Sequence, residues 1–366
     1  MKRSLMTVDK KIVSKIILNQ NLSDPSAMLS GDINGDAIKW IRDNSHCYLA
    51  KHTGVGEMTV CQLSDLDRKK FYDGSVAVLT GSEGSVFMKL PTFYYHAKEV
   101  SSDIWEIEFA NYKVSDTWKT YKEQLIAVYL SIVLDNTVYS VSGATPTLSS
   151  NSNWLNYVNN MGLGFTGVDF RNHCIMAFLF YAMYGTTNSQ AVIGNGTINT
   201  HITGSTDNLG MEDTKSALIG NNPINFWGLE DWWGYYTDIV QGLTKNNQLL
   251  TIVEHDGTTR TLNTAPISDP NVVPSKIVIG EYLDLIGKQG QPDASKGYCD
   301  YMWNSSAPYN RFHRSFYHPP APYYNGVGCI RGYTNDTSSG YSFRLVFRGN
   351  IIEAKDIQQF KSIITN

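Results

Sequence analysis

Residues 223–242, PINFWGLEDWWGYYTDIVQG, place six aromatic side chains (Phe226, Trp227, Trp232, Trp233, Tyr235 and Tyr236) within twenty positions, with glycines at 228, 234 and 242. An amphipathic helix would leave a polar face, and Gly228 and Gly234 would each weaken its interior by roughly 1 kcal/mol relative to alanine. A half-buried strand would alternate apolar and polar positions, and Asp231-Trp232-Trp233 does not. The segment is therefore expected to be an irregular loop packed into the body of a domain. Its rings fill volume, while indole N–H and phenol O–H groups tie the backbone down. The adjacent acids Glu230 and Asp231 fit as internal hydrogen-bond acceptors of that loop. Such a loop is suited to holding a binding surface rigid.

The rest of the chain supplies the body. With 366 residues and 42% hydrophobic content, it can bury about 70–75% of its unfolded surface. Charged residues make up 17% and aromatics 12%, with 22 tyrosines. Polarity is carried by Asn, Ser, Thr, Gly and Tyr, a palette shared with antibody paratopes and unlike that of disordered chains. Net charge is −4, and Arg311, Arg314, Arg331, Arg344 and Arg348 are dispersed among aromatics, which argues against nucleic-acid binding. Five cysteines (47, 61, 174, 299 and 329) without CxxC spacing argue against a zinc site or full disulfide framework and leave one or two bridges open. The longest apolar stretch, residues 174–180, is far short of a membrane span. Residues 1–21 contain no apolar run of seven and are not expected to act as an export signal.

Residues 1–80 are expected to form a small N-terminal α/β module for attachment or oligomerisation, 81–350 one larger domain, and 351–366 a short C-terminal helix. Ile12, Val13, Ile16 and Ile17 have helical spacing, and residues 37–43 suit a second helix before strands at 47–52 and 58–63. Residues 84–100 alternate except at Pro91, predicting an edge strand or bulge, with 102–112 as antiparallel partner. Residues 127–143 predict two strands about Asp135-Asn136. Helices are predicted at 152–161 and 169–185, capped by Ser and Asp respectively. A hairpin is expected over 246–263 around Asp256-Gly257, and a last strand at 340–349.

This order of segments resembles the C-type-lectin-like fold in its bacteriophage and diversity-generating-retroelement form, over roughly residues 80–350. The resemblance rests on SVFMKLPTFYY (85–95), VSGATP (141–146), two helices ending in NSQAVIGNG (188–196), the aromatic loop (225–242) and GYSFRLVF (340–347). The superfamily, which includes formylglycine-generating enzymes, carries G-x-x-x-F-W-G-N-x-W-E-W-x-D-G and a terminal G-F-R-L strand. Here Phe226, Trp227, Gly228, Trp232, Asp238 and Gly242 match, and Leu229 stands where the family has Asn. The resemblance implies an α+β fold: a C-type-lectin-like domain of twisted antiparallel sheets with two helices and long irregular loops, beside the N-terminal module.

It also implies a ligand surface between the aromatic loop and the last strand. Residues 295–340 form that interval, rich in Tyr, Asn, Ser, His and Asp and holding four prolines. A loop of that length is usually functional, and prolines reduce the entropy lost on binding. The candidate ligand contacts are Tyr301, Trp303, Tyr309, Arg311, His313, Tyr317, Tyr323, Tyr324 and Tyr333; the alternative for about half of them is packing beneath the loop.

Sharper chemistry is weaker in this chain. Formylglycine-generating enzymes need a close thiol pair to hold copper, whereas Cys329 has only Cys299, thirty residues away. An iron site would want a histidine triad, and His313 and His318 have no third partner nearby. Gln291-Pro292-Asp293 with Asn335-Asp336 imitates a lectin calcium motif at too long a separation. Residues 32–36, DINGD, have Ala37 where a calcium loop needs Gly and Asp43 where it needs Glu, so a turn into a helix is expected. The acid pairs Glu212-Asp213 and Glu230-Asp231 are adjacent and not set to face each other across a cleft. No cofactor, metal or enzymatic activity is expected. The expectation is a receptor-binding protein of a phage virion, at a tail or fibre tip, made in the host cytoplasm and meeting a host-surface receptor or glycan. By the same resemblance it would be a homotrimer joined to other virion proteins through residues 1–80. A bacterial surface or secreted adhesin of the same fold is the alternative, with a formylglycine-generating-type oxidase third.

Overall fold

Ser14, Ile16 and Leu18 point inward while Val13, Lys15 and Ile17 are more exposed, so the segment Val13–Asn19 is a strand and not the helix its isoleucine spacing allowed. Period-two burial with β-branched residues suits a pleated surface. The computed structural model describes residues 10–197, 199–215, 222–264, 273–303, 308–309, 311–315, 325–333 and 340–364. It is a mixed α+β fold dominated by sheet.

Two sheets carry most of it. The first has the order Leu29–Gly31, Val13–Asn19, Ile104–Ala110, Phe93–Ser101, Lys119–Tyr121. The second has the order Phe165–Gly167, Leu345–Phe347, Gln124–Ala127, Ser85–Leu90, His46–Gly54, Glu57–Gln62, Asn350–Glu353. The N-terminal residues therefore do not form a separate module: Val13–Asn19 pairs along its whole length with Ile104–Ala110, and His46–Gly54 pairs with Ser85–Leu90. A boundary at residue 80 would cut through both sheets. The C-terminal stretch is likewise built in, since Asn350–Glu353 runs parallel to Glu57–Gln62. Pro91 falls in the break between Ser85–Leu90 and Phe93–Ser101, which belong to different sheets.

Successive residues of the second sheet serve opposite faces. Cys47, Leu49, Val86 and Met88 join the main core, while Tyr48, Ala50 and Phe87 face a second cluster with Trp154, Phe343 and Phe347. Both faces are covered, which explains the nearly continuous apolar strands. Helix α1 (Asp36–Asp43) buries Ala37, Ile38 and Ile41. Helix α2 (Asn151–Met161) is capped by the Ser150 side chain; its Trp154 stacks on Phe343 at 5.0 Å and donates from Nε1 to the Tyr341 carbonyl at 2.9 Å. Helix α3 (Phe170–Tyr184) is apolar nearly all round and buried from Phe170 to Ala182, as a core helix must be. An Asp169–Asn172 capping box starts it, and Gly185 at φ 63° ends it. Helix α4 (Ser189–Val192) is a single turn, and α5 (Ile357–Ser362) closes the chain, with Phe360 against Phe71. All five cysteines are buried free thiols.

Candidate ligand-binding site

Asn225–Phe226 and Leu229–Glu230 form a minimal hairpin whose turn residues, Trp227 and Gly228, both have positive φ (55° and 75°), as a type I′ turn requires. A Cβ on Gly228 would lie 2.4 Å from Met211 Sδ and 3.0 Å from Cys47 Sγ, so glycine is needed for space as well as for φ. Phe226, Trp227, Trp232 and Trp233 are buried, and only Tyr235 is substantially exposed. The loop is thus packed inward, as its composition predicts.

Three buried guanidinium groups hold it there. Arg68 donates to the carbonyls of Gly210 (2.6 Å) and Gly228 (3.2 Å) and to Asn225 Oδ1 (3.0 Å). Arg344 donates to the carbonyls of Ala127 (2.8 Å), Val128 (2.5 Å), Glu230 (2.7 Å) and Asp231 (3.0 Å). Arg314 lies 3.5 Å over the Trp232 ring, donates to the Trp232 carbonyl (2.7 Å) and pairs with Asp238 (2.5 Å). Burial and the neighbouring Arg344 push the Arg314 guanidinium down to about 9, against the pull of Asp238, which leaves it charged at neutral pH. Glu230 accepts from the amides of Gly204 (2.7 Å) and Thr206 (2.8 Å), and Asp231 accepts from His201. Both acids are internal acceptors, as the sequence suggests.

Gly234 of this loop also fixes two positions that bracket residues 316–324. Its amide donates to Ser315 Oγ (2.7 Å), and its carbonyl accepts from Ser315 Oγ (2.8 Å) and Asn325 Nδ2 (3.2 Å). Ser315 Oγ and Asn325 Oδ1 are themselves 3.2 Å apart. Behind them Asp300 accepts from the Gly328 amide (2.9 Å), Gln190 Nε2 (3.3 Å) and Ser189 Oγ (3.3 Å), and burial pushes its carboxyl up to about 8.

A cleft of about 430 Å³ is lined by Asn151 and Leu155 of α2, by Asp169, Gln241, Thr244 and Glu254, and by Arg311 and Arg348. This size suits a small ligand. Its polar groups are fixed in place. Arg348 donates to Asp169 (2.8 Å), Asn172 (2.6 Å) and Gln124 (2.9 Å), and His255 Nε2 lies 3.1 Å from the other Asp169 oxygen. Gln241 Oε1 accepts from Thr166 Oγ1 and the Gly167 amide, both at 2.9 Å. Glu254 accepts from Arg171 (2.9 and 3.0 Å) and Arg260 (2.6 Å). Burial works against ionisation of Asp169, yet His255 and Arg348 hold its carboxyl well below the usual carboxylate range. Burial likewise works against ionisation of Glu254, and Arg171 and Arg260 lower its carboxyl below its ordinary value. Two permanent carboxylates can accept hydrogen bonds from ligand hydroxyls; neither can deliver a proton at neutral pH.

Of the candidate contacts, Tyr301, Tyr309, Arg311 and His313 are at most 3% exposed, so they belong to the interior and not to an outward-facing surface. The reason is that Arg311–Arg314 is an inner strand, between Asp238–Val240 and Ile330–Tyr333. His313 packs on the Tyr341 ring at 4.0 Å, and Tyr309 lies against Phe312 at 6.0 Å. Among these four only Arg311 lines the cleft. Trp303 and Tyr333 fall in the strands Met302–Trp303 and Ile330–Tyr333, which pair in parallel. Tyr317, Tyr323 and Tyr324 lie outside the described residues, as do His318 and Asn335-Asp336.

Asp169, Gln241, Glu254 and Arg348 line the cleft without having been expected there. Asp169 was visible only as a helix cap, and no spacing links the four. Among the described residues, no three His, Cys, Asp or Glu side chains converge to hold a metal. Asp293 accepts from Ser295 (3.0 Å), and Asp32 accepts from the Lys15 amide (3.0 Å) in the turn that feeds α1. Burial drives the Cys299 and Cys329 thiols well above their ordinary range. The chain matches no protein-family model and no curated protein.

Proposed function

We propose that the protein is a non-enzymatic receptor-binding protein of C-type-lectin-like architecture, carried on a bacteriophage tail or fibre tip and directed at a host-surface glycan. The observation that carries this reading is the 430 Å³ cleft, with its clamped carboxylates, amide and guanidinium groups. Such groups meet sugar hydroxyls without having to be ordered first, so little entropy is lost on binding. A hydrolase would need one carboxyl poised as an acid, and both cleft carboxyls are held ionised. Ser315 and Asn325, the described residues on either side of 316–324, are both hydrogen-bonded to Gly234. Attachment to the particle would use a face of this same body, because residues 13–62 are woven into its sheets.

A glycan array and whole-cell binding with intact protein test the reading. Thr244→Trp fills the exposed rim of the cleft, and alanines at Tyr317, Tyr323 and Tyr324 remove three candidate contacts. Loss of binding by either, with an unchanged circular dichroism spectrum, is the expected outcome. No glycan or cell bound by the intact protein would overturn the proposal.

A further inference from the structure

A second cleft, of about 320 Å³, shares Glu254 with the first and is otherwise lined by different residues. Its base is a closed ionic network. Arg171 bridges Glu254 and Asp284 (3.1 Å) and donates to the Tyr282 carbonyl, while Arg260 pairs with the same two carboxylates (2.6 and 2.8 Å). Two guanidinium groups against two carboxylates leave no net charge there. The network also fixes the Tyr282 ring, with Arg260 at 4.5 Å, Arg171 at 5.5 Å and Lys119 at 4.1 Å from its centre. Trp118 is set by stacking on His96 at 5.7 Å and 17°.

What faces the space is rich in donors. The side chains of Tyr95 and Trp118 make no hydrogen bond among the described residues, although both line the cleft. Lys122 is exposed and in no ion pair among the described residues. Lys119 pairs at 3.0 Å with Glu281, which is 62% exposed, so that pair is weak and exchangeable. Of the acids on the rim, Asp256 accepts from the Thr258 amide (2.9 Å) and hydroxyl (2.6 Å) within its own turn, and its charge also acts on Lys122. His255 is turned away toward Asp169.

We propose that this cleft binds a six-membered ring bearing a carboxylate, the ring against Trp118 and Tyr282 and the carboxylate on Lys119 and Lys122. A sugar acid and an aromatic acid share this chemistry, a six-membered ring with a face to lay on an aromatic side chain and a carboxylate for the lysines. The site stands independently of the glycan reading above. Titration calorimetry and saturation-transfer NMR on the whole chain, with galacturonate and 4-hydroxybenzoate as probes and galactose and 4-hydroxybenzyl alcohol as neutral controls, decide it. At least one acid is expected to bind at least about tenfold more tightly than its neutral counterpart, which is about 1.4 kcal/mol, and which acid does so identifies the source. Lys119→Met with Lys122→Met, both near the surface, should remove that preference with the melting temperature kept, and Thr244→Trp should leave it intact. Equal affinity for acid and control, no saturable binding of either acid at millimolar concentration, or loss with Thr244→Trp alone would overturn the proposal.

Discussion

Arg344 has no exposed surface, yet its two terminal nitrogens reach four carbonyls, two at the end of the Gln124–Ala127 strand and two in the aromatic loop. Asp238, 3.8 Å from its Nε, supplies the counter-charge. A buried cation is tolerable only when its donors are used and its charge is opposed. Lysine would bring one charged point and no fork, so it cannot span both pairs of carbonyls. Arg344→Lys should lower the unfolding free energy by about 3–5 kcal/mol, the scale of breaking a buried ionic site, as read from urea denaturation. A loss below about 1 kcal/mol, the range of a surface change, would refute this role. In sequence Arg344 was one of several dispersed arginines. Its partners lie more than a hundred positions upstream, and no local pattern marks them.

Elements whose ends are written locally were legible. Helices α2 and α3 carry their own caps, and the hairpin over 249–263 turns at Asp256-Gly257. The Val13–Asn19 strand was not, because four isoleucine and valine positions satisfied a helical period while a longer-range pairing decided the outcome. The joint between α4 and the Asn325–Gly328 segment is also invisible locally, and it rests on Asp300. Burial raises that carboxyl from 3.8 to about 8, so the folded state holds a proton that the unfolded chain releases. Its contribution is complete below the unfolded value and is lost as pH rises toward about 8. His173 and His313, pushed by burial to about 3, act in the opposite sense, losing stability as pH falls below 6.5. Asp300→Asn keeps one of the two accepting oxygens and removes the titration of this carboxyl, leaving those of the histidines in place. Urea unfolding of both proteins between about pH 4 and about pH 8 should therefore show the parent losing stability relative to the variant as pH rises. Parallel profiles would mean that Asp300 is ionised throughout.

At the scale of the molecule, the change of texture near residue 80 suggested a boundary that the topology does not have. The helices, hairpins and inward-packed aromatic loop were legible because each is specified within about twenty residues. The two sheets were not, since they join Val13–Asn19 to Ile104–Ala110, and Glu57–Gln62 to Asn350–Glu353, across most of the chain. The candidate cleft shares that history, with lining residues spread from Asn151 to Arg348. Residues 1–80 contribute the edge strand Leu29–Gly31 and the inner strand Val13–Asn19 to the first sheet and two neighbouring strands to the second, together with α1 and core side chains such as Ile38, Leu49 and Val60. Their removal would leave Ile104–Ala110 and Ser85–Leu90 each with one unpaired edge and open both faces of the second sheet. Unpaired edges and exposed apolar faces favour aggregation over folding. A chain beginning at residue 81 should thus give no cooperative thermal transition and poorly dispersed amide resonances, and adding residues 1–80 as a separate polypeptide should restore both. A fragment that melts cooperatively by itself would restore the boundary at 80 and make the N-terminal strands an ornament of an autonomous domain.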